Sequence, residues 1–449
     1  MLLGMGCITL MASERETRAG EPLFLQSQPV SSVSMNAVSG GDVQGGQEKN
    51  EAKKEDEEKR NEEIVIVLDA GHGGEDEGCS CGGILEKEIN LRITLAVRDK
   101  LSELGYQVLL TRETDQALSL QERVEIADGA GADIFVSIHQ NASEVSQACG
   151  LETWYLEKES ETQQHGQNME RGSFRLAELI RKFTLERTGA ADREMKSADT
   201  LYVLRETDMP ACLVETGFLS NKEERERLLE EEYQLKLAAG IVEGIDLYFH
   251  PKTMYLTFDD GPSVETTGAI LDILREKNIK ATFFVVGENV KKHPEMARRI
   301  VNEGHTIGIH CNWHEYETLY ESVDSYLEDF YEAYDIIYET TGVEAELFRF
   351  PGGSINAYNE EVYEDIIKEM TKRGFVYFDW NASLEDAVKN PDPQILLKNA
   401  RESTLGRKKV VMLAHDIVYS TAQCLEEMIE QFPEYRMLPL TKEVTPIQF

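Results

Sequence analysis

Two histidines and a carboxylate, each placed just after an apolar run, are the first residues in this sequence that could do chemistry together. His72 stands in Gly-His-Gly-Gly at the end of IVIVLDAGHGG (64–74), His139 in SIHQNA (137–142), and Glu215 in VETGF (214–218). In an α/β sheet the carboxyl ends of parallel strands open on a common crevice, so side chains from three such ends can converge. Two histidines plus one carboxylate form a catalytic zinc set that leaves a position open for water. Each histidine alone says little; the combination carries the inference.

A second set lies further along. Asp259 and Asp260 close the run YLTF, and His310 and His314 stand four apart in HCNWH (310–314). Histidines at that spacing share a face if the segment is helical or tightly turned. With Asp260 they make another two-histidine, one-carboxylate site. Asp259 is then surplus as a ligand and available as a base.

The elements needed to hold these groups can be read from the pattern. Ile89, Ile93, Val97, Leu101 and Leu104 recur at helical spacing, with Gly105 placed to end the helix. Strand-like runs come next at 106–110, 134–138 and 211–215, and a long acidic helix is expected near 222–248. Alternation of this kind predicts an α/β fold with a mostly parallel sheet. Pro251 marks a short linker, after which β runs recur at 281–286, 305–309, 346–350, 375–380 and 410–415. That density of β/α units predicts a (β/α) barrel. The expected organisation is a tether over 1–63, one domain over 64–249 and a second over 254–449.

Across 64–249 the motifs DAGHGG, EKEINL, LTRETD, LSLQERVEIAD, SIHQNA and MPACLVETGFLSN appear in order. This block resembles the zinc-dependent N-acetylmuramoyl-L-alanine amidases of the autolysin type, a three-layer α/β fold. The resemblance implies zinc ligands His72, Glu86 and His139, with Glu215 as the catalytic carboxylate and Asn141 at the substrate. Glu86 can also serve as a carboxylate favoured at a helix N-terminus. Across 254–449 the motifs TFDDGP, HCNWH, RFPGGS, DWN and LAH resemble the polysaccharide deacetylases related to chitooligosaccharide deacetylases, with a distorted (β/α) barrel. That resemblance implies a zinc or other divalent ion on Asp260, His310 and His314, and Asp259 as base. It also implies His415 as acid, Arg349 orienting Asp259, Asp386 tuning His415, and Gly352, Trp380 and Leu413 at the substrate. Two departures stand out: Cys311 replaces a usual Ser or Thr, which predicts a slacker metal loop, and Gly352 replaces a frequent aromatic, which predicts a more open sugar groove.

The function expected is a bifunctional peptidoglycan hydrolase acting on glycan strands and stem peptides. Alternatives are a wall-binding protein with one active domain, and a deacetylase that acts on muramic acid for lactam formation or on chitin-like oligosaccharides. The 449 residues carry 46 basic and 83 acidic side chains, a formal charge of −37, which argues against a nucleic-acid partner, because phosphate binding needs clustered Lys and Arg. The seven cysteines are odd in number and scattered, unlike a disulfide framework; Cys79 and Cys81 are either loop filler or accessory metal ligands. The apolar run at 1–13 is too short to span a bilayer and looks like the back half of an export signal, which points to an extracellular or wall-associated protein. The charge run ending near residue 63 lacks the apolar surface to fold alone.

Overall fold

The computed structural model describes residues 61–156 and 172–449. The signal-like run and nearly all of the expected tether lie outside the described residues. Asn61, at the edge of that tether, is already packed: its amide donates to the Leu104 carbonyl and its oxygen meets the His250 ring.

The first half of the chain gives β1 (Val65–Ala70), a small hairpin of β2 (Ser80–Cys81) and β3 (Ile84–Leu85), then β4 (Gln107–Leu110), β5 (Ile134–Asn141), β6 (Leu151–Tyr155), β7 (Asp192–Ser197) and β8 (Ala211–Phe218). Six of these form one sheet in the order β4-β1-β5-β8-β6-β7. β4, β1, β5 and β8 run parallel; β6 lies antiparallel to β8, and β7 runs parallel to β6. Alternate residues of β1 enter different cores. Ile66 and Leu68 pack with the helices Glu86–Glu103, Ser173–Thr188 and Glu231–Phe249, whereas Val67 packs with Phe135 and Leu213 on the other face. A strand apolar on both faces must be covered on both, which is the three-layer arrangement expected. The expected helix near 222–248 is two helices, Lys222–Leu228 and Glu231–Phe249.

The second half gives β9 (Lys252–Asp259), β10 (Thr282–Val286), β11 (Thr306–Cys311), β12 (Leu347–Phe348), β13 (Val376–Tyr377), β14 (Ala382–Ser383), β15 (Lys409–His415) and β16 (Tyr435–Met437). They form one all-parallel sheet, β13-β12-β11-β10-β9-β15-β14, with β16 beside β9. The barrel is a half-barrel: the path ends at β13 on one side and β14 on the other. The expected runs 346–350 and 375–380 shrink to two paired residues each. β12 leads straight into the turn that carries Arg349 to Ser354, so pairing stops where functional loops begin.

Candidate functional site

Both candidate sites lie at the carboxyl ends of parallel strands, as sheet geometry requires. In the first, His72 comes after β1, His139 lies in β5, and Glu86 opens the helix Glu86–Glu103. Their ligand atoms all lie within 4.8 Å of one another. Glu86 Oε1 sits 3.2 Å from His72 Nε2 and 3.0 Å from His139 Nδ1. Gly71 permits this closeness, because a Cβ there would stand 2.2 Å from the His139 ring.

Groups around the trio fix its orientation. Asp76 holds His72 Nδ1 at 2.8 Å, which leaves Nε2 to face Glu86. Asn90, one helical turn after Glu86, donates to Glu86 Oε1 and to the Gly71 carbonyl. The second carboxylate oxygen of Glu86 accepts from the Cys79 N–H. Burial opposes charge on His72, but Glu86 and Asp76 raise it to about 9. Burial would also raise Glu86, yet the two histidines hold it far below the carboxylate range. One carboxylate oxygen facing a ring nitrogen of each of two histidines is a donor set that fits a divalent ion.

Glu215 stands apart from the trio, in β8 directly beside His139 in register. Burial pushes its carboxyl up to about 7, and one of its oxygens is buried without a hydrogen bond. Asn141 ends β5 with its amide on Glu152 Oε2, so it braces a neighbouring carboxylate. Cys79 and Cys81 are not part of the ligand cluster. The Cys79 thiol turns to the carbonyls of Gln140 and Asn141, and Cys81 accepts from Arg225.

In the second site, Asp260 comes after β9, His310 lies in β11 and His314 in the loop after it, so the shared face comes from a tight turn, not a helix. Asp260 Oδ1 stands 3.3 Å from His310 Nε2 and 3.4 Å from His314 Nε2. That oxygen is buried with no hydrogen-bond partner. His310 Nδ1 faces the Arg349 carbonyl at 2.8 Å, so it carries the proton and Nε2 presents a lone pair to Asp260. A lone pair and a carboxylate facing each other repel unless a cation lies between them, and this set too fits a divalent ion.

Arg349 is fully buried and spends its whole fork on this site. Nη1 donates to Asp259 Oδ1 at 2.9 Å and to Thr257, Nε to the Phe378 carbonyl and Nη2 to that of Asp379. His415 Nδ1 lies 2.7 Å from Asp386, whose other oxygen accepts from the His415 N–H and from Thr421. Burial opposes charge on His415, but Asp386 raises it to about 10. Leu413 lies two residues before His415 on β15, on the same side of the strand. Trp380 packs against Arg349 and Phe449, a support behind the site.

Both departures acquire a physical reading. The loop carrying Cys311 is not slack: Asp329 accepts from the N–H groups of Asn312 and Trp313 at 2.6 and 2.8 Å. At Gly352 the space next to the backbone is taken by Tyr316. A Cβ there would lie 2.9 Å from the Tyr316 ring, and Tyr316 packs on His314 and Tyr358. Of the supporting groups, Asn90 lies inside the motif EKEINL; Asp329 and Glu152 carry no signal at sequence level.

A family model for N-acetylmuramoyl-L-alanine amidase matches residues 66–246, and one for polysaccharide deacetylase matches 247–375. The germination-specific N-acetylmuramoyl-L-alanine amidase of Bacillus subtilis is 34% identical over 202 residues, which cover 42% of this chain and 81% of that one. The chain belongs to the N-acetylmuramoyl-L-alanine amidase family. It carries a polysaccharide deacetylase domain behind the amidase domain. The putative polysaccharide deacetylase YheN of the same bacterium is 32% identical over 188 residues, 41% of this chain and 64% of that one. A solved structure, the catalytic domain of a peptidoglycan N-acetylglucosamine deacetylase from Eubacterium rectale, is 34% identical, covers 44% of this chain and 93% of its own, and has a TM-score of 0.42. The amidase domain thus holds the His72, Glu86 and His139 cluster, and the deacetylase domain holds that of Asp260, His310 and His314.

Proposed function

We propose that the chain cleaves the amide between N-acetylmuramic acid and L-alanine at one site and removes N-acetyl groups from wall amino sugars at the other. The observation that carries this reading is the repetition of one design. Each domain holds a two-histidine, one-carboxylate cluster at strand ends, with a separate carboxylate beside it.

His72, Glu86 and His139 would hold zinc, and Asp260, His310 and His314 zinc or another divalent ion. Such an ion acidifies a bound water and polarises the carbonyl under attack. In the amidase, Glu215 takes the proton of the attacking water and returns it to the departing amine. Its burial, with a carboxyl near 7, suits a group that must both accept and give. In the deacetylase the two tasks are divided. Asp259, held in place by Arg349, takes the proton of the water; His415, held protonated by Asp386, gives one to the departing sugar amine. The Gly352 N–H serves as oxyanion donor and Leu413 lines the acetyl pocket.

A wall polymer as substrate implies action outside the membrane. No helix among the described residues is long and apolar enough to cross one. The test is mass analysis of peptidoglycan digested by the wild type, Glu215→Ala and Asp259→Asn. The wild type is expected to release peptides and acetate, the first variant acetate alone and the second peptides alone. If both variants give the wild-type products, the reading fails. The sugar that loses its acetyl group, and any lactam formed on peptide-free muramic acid, are read from the same spectra.

A further inference from the structure

Beside Glu215 the amidase sheet carries a row of charges that the proposed chemistry does not use. β6 lies next to β8, and Glu152 pairs directly with Glu215 across the two strands. The Glu152 side chain is 2% exposed and is surrounded by donors: Asn141 Nδ2 on one oxygen, Arg193 Nε at 2.5 Å and Lys196 Nζ at 2.9 Å on the other. Burial raises its carboxyl, but Arg193 and Lys196 outweigh that and hold it below the usual range.

The two cations come from β7, the edge strand beyond β6. Residues three apart on a regular strand point to opposite faces. Here Glu194 sits at φ 67°, a left-handed conformation uncommon for a residue with a side chain, and the β6–β7 register shifts at the same level. That irregularity brings Arg193 and Lys196 to one face, as a bulge does. A purely structural counter-ion for one carboxylate needs one cation and no strained backbone.

Both cations keep an open side. Their side chains are 37% and 36% exposed. Arg193 bonds through Nε, and its terminal nitrogens meet no acceptor among the described residues. Its guanidinium lies 4.9 Å from the Phe218 ring, and Lys196 lies 4.9 Å from that of Trp154, so both heads are held in place. A fixed guanidinium with a free pair of N–H groups is the geometry that binds a carboxylate in two-point fashion.

The distance fits a peptide. Adjacent strands are about 4.8 Å apart, which puts β7 about 10 Å from the strand of Glu215. An extended chain advances about 3.5 Å per residue, so that span reaches the second or third residue beyond a bond cleaved at Glu215. We infer that Arg193 and Lys196 form a subsite for a free carboxylate of the stem peptide, within two or three residues of the scissile amide. The inference rests on the proposed amidase activity.

The test compares two muropeptides that differ only in whether the second peptide residue carries a free carboxylate or a carboxamide. The wild type is expected to show a KM about 10-fold lower for the acid, with kcat changed by less than about twofold. Arg193→Gln and Lys196→Gln should each erase most of that preference while still cleaving both peptides. A wild type that cleaves both equally well, or favours the amide, overturns the subsite without any variant. So does a preference that survives in Arg193→Gln. If the wild type cleaves neither, the amidase reading itself has failed, and the subsite with it.

Discussion

On the proposed reading, the two clusters share the same residue types and the groups beside them handle the proton differently. The amidase has one carboxylate, Glu215, with no salt-bridge partner among the described residues; burial first, and then the charges of Glu86 and Glu152, lift it to about 7 against the pull of His139 and His72. The deacetylase has two groups: Asp259 is bonded to a fully buried arginine, and His415 is raised to about 10, first by Asp386 and then by Asp260 and Asp259. A single group that must take and return a proton works best with an intermediate affinity for it. A divided pair works best with one member always ionised and the other always protonated. A shared two-histidine, one-carboxylate cluster therefore does not dictate the titratable groups placed beside it.

The comparison breaks most sharply at the catalytic groups. Glu215→Gln removes the acid and the base together, so the amidase rate is expected to fall by about 10³-fold or more. His415→Asn removes the acid alone, and the deacetylase is expected to fall by about 10²-fold, with metal content unchanged. Peptide release and acetate release, measured on the same preparations, check both. Equal losses in the two domains would mean that the tasks are not divided in this way.

The next effect is on stability. Arg349 is 0% exposed and Asp259 3%. Arg349→Leu strands a buried carboxylate and Thr257, which is expected to cost about 3–5 kcal/mol. Denaturant unfolding should show the deacetylase domain melting early while peptide release by the amidase persists. The amidase has its own buried pair, Asp69 of β1 with Arg123 of the helix Leu120–Gly129. Glu215 has no such clamp, so the reverse experiment at Glu215 should leave amidase stability unchanged or improved.

How far the sequence discloses such arrangements depends on how local they are. His72, His139, Asp260 and His310 are legible because each lies at or just after the end of a strand, where an apolar run stops at a polar turn, and His314 because it stands four residues from His310. Glu86 needs the resemblance: spacing points to Glu215 as the third carboxylate, and only the fold shows that Glu86 at a helix N-terminus reaches both histidines while Glu215 stands apart. The half-barrel is less legible than its β/α units, because its ends are set at β13, where the run 375–380 yields only two paired residues, and at β14 (Ala382–Ser383), where no run marks a strand. The filling of the Gly352 groove is hidden for a similar reason. Tyr316 reaches it from the start of the short helix Tyr316–Leu319, and no pattern within either segment links them.

The smallest expected effect concerns pH. His415 gains its proton affinity from Asp386, which touches it at 2.7 Å. Because the folded value lies above that of a free histidine, the pair stabilises the domain fully below about pH 6.5, and that contribution is lost as pH rises through about 10. Catalysis tracks the same proton, since His415 must be charged to act as the acid. Deacetylation is therefore expected to hold its rate to about pH 10 in the wild type. Asp386→Asn removes the neighbouring charge but keeps a group able to bond to the ring. The alkaline fall in rate should then move downward by about one to three units, by the usual size of a single opposite charge. At pH 9 this is a loss of about 10-fold or more, while at pH 6 the variant should stay within a few-fold of the wild type. Amidase activity, which draws on neither residue, should keep the same pH profile in both proteins. An Asp386→Asn profile that overlays the wild type would show that His415 is not the proton donor, and the division of labour between the two sites would then fall.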